Sequence, residues 1–91
     1  MEIEFDPRKR VETLTKRGLD FLDAPIVFAE ELLTVEDTRH PYGEARNVTR
    51  GYLDERLIVV GWTLRLRNGV PVRRIFSMRK ANEREIALVQ E

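Results

Sequence analysis

The chain has no cysteine and only one histidine and one tryptophan in 91 residues. Without thiols, disulfides and cysteine-ligated zinc are excluded, and the cytosol is the expected compartment. No apolar run approaches the roughly 20 residues that a membrane span needs. The opening MEIEFDPRKR has no signal-peptide core, so a cytoplasmic protein without membrane contact is expected. A P-loop, a GxGxxG turn after a strand and a GxSxG elbow are all absent, which removes the common nucleotide-binding and serine-hydrolase readings. There is no internal repeat and no low-complexity segment. A chain of this length makes one domain, residues 1–91, with a modest core.

Net charge is also missing, with 16 basic residues against 16 acidic ones. The balance hides a split. Residues 1–50 carry 8 Lys/Arg and 11 Asp/Glu, whereas residues 51–91 carry 8 and 5. Local field matters more than the total at a binding groove.

What is present centres on Leu57–Ala81, LIVVGWTLRLRNGVPVRRIFSMRKA. Two β-prone runs flank Asn68-Gly69, a pair that tolerates the positive φ of a type I′ hairpin turn. Arg65, Arg67, Arg73, Arg74, Arg79 and Lys80 fall in this stretch, and no acid lies between the first and the last of them. A two-residue turn pairs Arg67 with Val70, Arg65 with Val72 and Thr63 with Arg74. Alternation then puts Thr63, Arg65, Arg67 and Arg74 on one face, and Val60, Trp62, Leu64, Leu66 and Ile75 on a helix-covered core face. Arg73 and Arg79 fall on the apolar face by parity. Each must reach out at the sheet edge unless a bulge breaks the register.

The remaining elements follow from period and punctuation. Met1–Phe5 alternates as a strand. Asp6-Pro7 starts a helix over Pro7–Arg17 that Gly18 closes. Asp20 caps a second helix that ends near Glu30 or Glu31. Leu32–Val35 and Ala45–Leu53 read as strands around a polar loop, Glu36–Glu44. A last helix spans Glu83–Gln90, capped by Asn82 or Ser77. The expected fold is α+β: an antiparallel sheet of four to five strands, two N-terminal helices packed on one face and a C-terminal helix.

The loop supplies the other reactive groups. His40 titrates near neutrality and suits proton transfer. Glu44 and Arg46 share a face if the strand begins there, and Tyr42 is the better placed aromatic for a base contact. One histidine with scattered Asp37 and Glu44 lacks zinc-like spacing, so no metal or other cofactor is expected.

Several blocks resemble the BrnT family of small bacterial toxins from type II toxin–antitoxin modules. They are Glu4–Lys9, Lys16-Arg17-Gly18-Leu19, Phe21, Ala24 and Val27-Phe28, His40, Gly43–Arg46, Gly51, Val59-Val60, Thr63-Leu64-Arg65, and Arg74–Ala81. Their order and spacing cover nearly the whole chain. The chain departs from the family in having Phe5 where Trp is usual, Thr13 where Asn is common, and Lys16-Arg17-Gly18 where Lys-His-Gly is found. The resemblance implies a RelE-like fold, endoribonuclease activity and inhibition of translation. It also implies a BrnA-like ribbon-helix-helix antitoxin, with operator DNA bound only through the toxin–antitoxin complex.

Metal-independent RNA cleavage uses the substrate's own 2′-OH. Arg65, Arg74 and Arg79 are then the expected phosphate ligands, and His40 and Glu44 the acid–base candidates. Arg46, Thr63, Arg67 and Lys80 are expected to hold the substrate. The competing reading is a non-catalytic nucleic-acid or protein-binding module of the same fold.

Overall fold

The computed structural model describes residues 1–39, 41 and 43–89. Among them the elements are β1 (Glu2–Phe5), α1 (Pro7–Arg17), a 3₁₀ turn (Phe21–Asp23), α2 (Ala24–Ala29), β2 (Glu31–Asp37), β3 (Arg46–Leu53), β4 (Arg56–Arg67), β5 (Val70–Lys80) and α3 (Glu83–Val89).

Both ends of α1 form as their residues dictate. The Asp6 side chain accepts from the Arg8 backbone N–H at 2.9 Å, and Gly18 closes the helix in the left-handed region at φ 69°. The second helix is shorter than expected. Pro25 lies in the first turn of α2 and has no N–H to donate backwards, so the chain enters through a 3₁₀ turn. Asp20 caps that turn by accepting from the Leu22 N–H at 2.9 Å.

The sheet order is β1-β5-β4-β3-β2. Strands β2 to β5 form an antiparallel meander, but β1 runs parallel to β5, so the expected antiparallel sheet is mixed. The reason is connectivity. Two helices separate β1 from β2, so no tight turn fixes its direction, and it fills the free edge of β5. The hairpin at Asn68-Gly69 forms as read, with positive φ at both residues and Arg67 opposite Val70. A second tight turn, Asp54-Glu55, also has positive φ at both residues although neither is glycine.

The core lies on one side of the sheet. Phe21, Ala24 and Val27 pack with Ile58, Val60, Trp62, Ile75 and Met78, and with the half-buried Ile3, Phe5 and Phe28. The Trp62 indole N–H donates to Thr49 Oγ1 at 2.9 Å, and Thr49 shares a 2.7 Å hydrogen bond with Thr34, which donates to Glu31. Trp62 is therefore a satisfied core residue. Gly51 allows α2 to sit directly on β3, because a methyl group there would run into the Val27 carbonyl oxygen of α2 and come within 2.8 Å of the Glu30 carbonyl oxygen.

One expectation about the faces fails. Leu64 and Leu66 are 52% and 66% exposed, because the hairpin runs out past the helices. α2 covers the core side and α1 buries no residue, whereas α3 reaches the opposite face through Glu85.

Candidate functional site

Cross-strand register builds the second face of the sheet row by row. Arg46, Thr63 and Arg74 lie abreast on β3, β4 and β5, and Arg50, Val59 and Arg79 form a parallel row further along. Between them runs Val48–Gly61–Ser77. Towards the hairpin tip, Arg65 stands opposite Val72 and Arg67 opposite Val70. Partners in an antiparallel ladder project to the same side, so Arg46, Arg50, Arg65, Arg67, Arg74 and Arg79 share this face.

Arg79 arrives there through a bulge. Trp62 pairs with Ile75 while Gly61 pairs with Ser77, which leaves Phe76 as one extra residue on β5. The extra residue inverts the alternation, turning Met78 into the core and Arg79 out to the arginines. The second reading of Arg79 from the sequence is the one realised. Arg73 remains on the core side, where its guanidinium stacks over Phe28 at 4.0 Å and Trp62 at 4.9 Å from the ring centroids. Lys80 stands opposite Ile58, also on the core side, and is not brought to the arginine face.

The local sequence suggests cations without counter-ions, but distant segments supply carboxylates. Glu4 of β1 accepts from Arg67 Nε at 2.8 Å and from Arg74 at 3.3 Å. Glu44 accepts from Arg65 at 3.0 Å. Glu85 of α3 accepts from Arg79 at 2.6 and 2.9 Å and pairs with Arg50 at 3.3 Å. Five of the six guanidinium groups, those of Arg50, Arg65, Arg67, Arg74 and Arg79, are thereby oriented, and three carboxylates leave the face net positive.

Glu85 is the tightest of these centres, with a side chain only 9% exposed. It also closes a capping box: its carboxylate accepts from the Asn82 N–H at 3.0 Å, and its own N–H donates to Asn82 Oδ1 at 2.8 Å. The Arg79 hydrogen bonds, aided by the Asn82 N–H and the Arg50 charge, hold its carboxyl down at about 2. Arg67, through its hydrogen bond, lowers Glu4 in the same direction, with Arg74 assisting.

Two clefts of about 310 Å³ flank the face. One lies between Arg50, Arg79, Glu85 and the segment from the end of β2 to Arg39; β2 runs on to Asp37, paired with Arg46, so the strand takes the first two residues of the expected loop. The other lies between α1 and the bulge at Phe76 and Ser77. His40 and Tyr42 fall outside the described residues. Thr63 is buried between Arg46 and Arg74 and separates them. Arg17 donates to the Met78 carbonyl at 3.0 Å, beyond the part of β5 that β1 pairs.

Reading the hairpin alone missed Arg50 and Phe76. Arg50 was accessible, because strand alternation from Arg46 leads to it. Phe76 depends on the bulge, for which the one indication is Gly61 in the middle of a central strand.

A family model described as the ribonuclease toxin BrnT of type II toxin–antitoxin systems matches residues 5–85. No curated protein matches the chain.

Proposed function

The chain belongs to the BrnT family, ribonuclease toxins of type II toxin–antitoxin systems, and on that premise we propose that its arginine face binds and cleaves RNA without a metal ion. The observation that supports this most is the bulge, which adds Arg79 to a face already carrying Arg46, Arg65 and Arg74. Successive RNA phosphates run along the strands, the scissile one against Arg65 and Arg74 and a neighbouring one against Arg79, with Arg46 and Arg67 on the same path. The 2′-oxygen bonds to phosphorus as the bond to O5′ breaks. Glu44 or His40 takes the 2′-OH proton, and the other returns one to O5′. The products are a 2′,3′-cyclic phosphate and a 5′-OH. Glu44 suits the role because it already touches Arg65 and so would lie beside a bound phosphate. The developing charge on phosphorus is met by planar guanidinium groups.

A type II system pairs its toxin with an antitoxin. We assign that partner as a BrnA-like ribbon-helix-helix protein that lays an acidic segment over the arginine face, quenching its field and blocking RNA together. Operator DNA is then bound by the complex alone. Cytoplasmic action on translation follows from this reading, in keeping with a structure in which no helix among the described residues is long and apolar enough to cross a membrane.

Purified protein incubated with RNA and EDTA tests the proposal. Cleavage with cyclic-phosphate ends is expected, while DNA of the same sequence stays intact because it lacks the nucleophile. Cleavage that EDTA abolishes and a divalent ion restores removes the metal-independent step. Intact RNA with a mobility shift instead supports the binding module.

A further inference from the structure

The second cleft is unexplained by the chemistry above. Lys9, Glu12, Thr13 and Lys16 line it from α1, spaced as i, i+3, i+4 and i+7 and so on one face of the helix. The opposite wall is Phe76 and Ser77. A surface helix ordinarily turns apolar side chains toward its sheet. α1 instead leaves Val11 and Leu14 exposed and lines the cleft with polar and charged groups.

Phe76 is held in an unusual way. As the extra residue of the bulge it is freed from regular pairing. Its ring lies against Gly61, where an added methyl group would come within 2.7 Å of two ring carbons. The Arg46 guanidinium stacks over the ring, 4.7 Å from its centroid. The ring is thus fixed between the arginine rows and the cleft, partly exposed and carrying a cation.

We propose that this cleft is a nucleobase subsite, in which a base next to the bound phosphate stacks on Phe76. The inference rests on the RNA reading of the arginine face and adds where the neighbouring nucleotide goes. An aromatic ring beside guanidinium and ammonium groups is the chemistry of single-stranded nucleic-acid platforms, which accept any base because every base has a π-face. Glu12 and Thr13 offer hydrogen-bond groups to the base edge, and Lys9 and Lys16 reach the next phosphates. Arg17, which also lines the cleft, ties α1 to β5 by donating to the Met78 carbonyl. At about 310 Å³ the cleft is at the low end of the roughly 300–1,000 Å³ of small-molecule sites, enough for one base.

The test measures binding of a 2′-O-methyl oligoribonucleotide, which cannot be cleaved, to the full chain. Replacing one base at a time by an abasic unit should locate a single position whose loss weakens binding to wild-type protein by about 5- to 150-fold. Phe76→Leu keeps an apolar side chain but has no π-face, and should lose a similar factor and become insensitive to that abasic unit. Phe76→Tyr should bind as wild type does. If no abasic position matters, or if folded Phe76→Leu binds as tightly as wild type with the same abasic profile, the subsite is wrong. Wild-type protein that binds this strand and cleaves ordinary RNA while either result holds would lose only the subsite. Protein that neither binds nor cleaves RNA would lose both readings.

Discussion

Replacing Glu85 by glutamine removes one negative charge and little else. Glutamine fills the same volume and still completes a capping box with Asn82. What disappears is the counter-ion of Arg79 and of Arg50, whose side chain is only 12% exposed. The cost follows from the carboxyl's own titration. Held at about 2 instead of its ordinary 4.5, it favours the ionised folded form by on the order of 3 kcal/mol. Arg79 is itself 41% exposed and water compensates part of its loss. We therefore expect Glu85→Gln to lose about 2–3 kcal/mol at pH 7, or roughly 8–20 °C in Tm for a domain of this size. The sign of the pH dependence is fixed. A depressed folded value means that the contribution is complete above about pH 5 and fades as the pH falls toward 2. Urea melts followed by circular dichroism should give a wild-type-minus-variant gap that is flat from pH 7 to 5 and less than about half as large at pH 3. Glu12→Gln is the control. Its pair with Lys16 is exposed on both sides, and its gap should stay under about 0.5 kcal/mol. A Glu85→Gln gap below about 1 kcal/mol at pH 7, or one unchanged down to pH 3, would falsify the counter-ion role.

Other perturbations separate scaffold from site. Gly51→Ala drives a methyl group into the α2 backbone and should cost more than about 2 kcal/mol in chemical denaturation, whereas Gly→Ala ordinarily helps a strand. Thr49→Val strands the Trp62 indole N–H in the core and should cost about 1–3 kcal/mol by the same measurement; a neutral result would mean that the hydroxyl chain does not matter. Asp20→Asn keeps an acceptor for the Leu22 N–H but loses the Arg10 ion pair that holds Asp20 at about 2, so its stability deficit should be present at neutral pH and shrink between about pH 4 and 2. Arg65→Ala should lower RNA cleavage by about 10²-fold or more without lowering the melting temperature, and should relieve growth arrest while the antitoxin still binds; full toxicity would remove Arg65 from the site.

Most of the scaffold could be read from local chemistry. Asp6, Gly18, Asn68-Gly69 and Asn82 each specify a cap or turn by conformational preference alone, and each takes the expected place. The parallel direction of β1 could not be read, because a strand joined through two helices carries no turn signature. Arg79 was ambiguous for a related reason: alternation is a rule of parity, and a single inserted residue reverses it for everything downstream. Charge was legible only along the chain. The stretch from Arg65 to Lys80 contains no acid, yet Glu4, Glu44 and Glu85 converge on its arginines from three separate segments. In the sequence Phe76 is one more β-prone residue; only the bulge sets its ring against Gly61.

The placement of Trp62 has a practical consequence. The indole is buried on the helix side, edge-on to Phe28 at 5.8 Å between centroids and beneath the Arg73 guanidinium, with the sheet between it and the arginine face. As the sole tryptophan, it is a label-free optical probe of one half of the molecule. Its emission should shift to the red when the helices leave the sheet and stay constant while ligands load on the far side. The two faces can therefore be observed independently in one sample, with folding read from tryptophan and occupancy from the ligand.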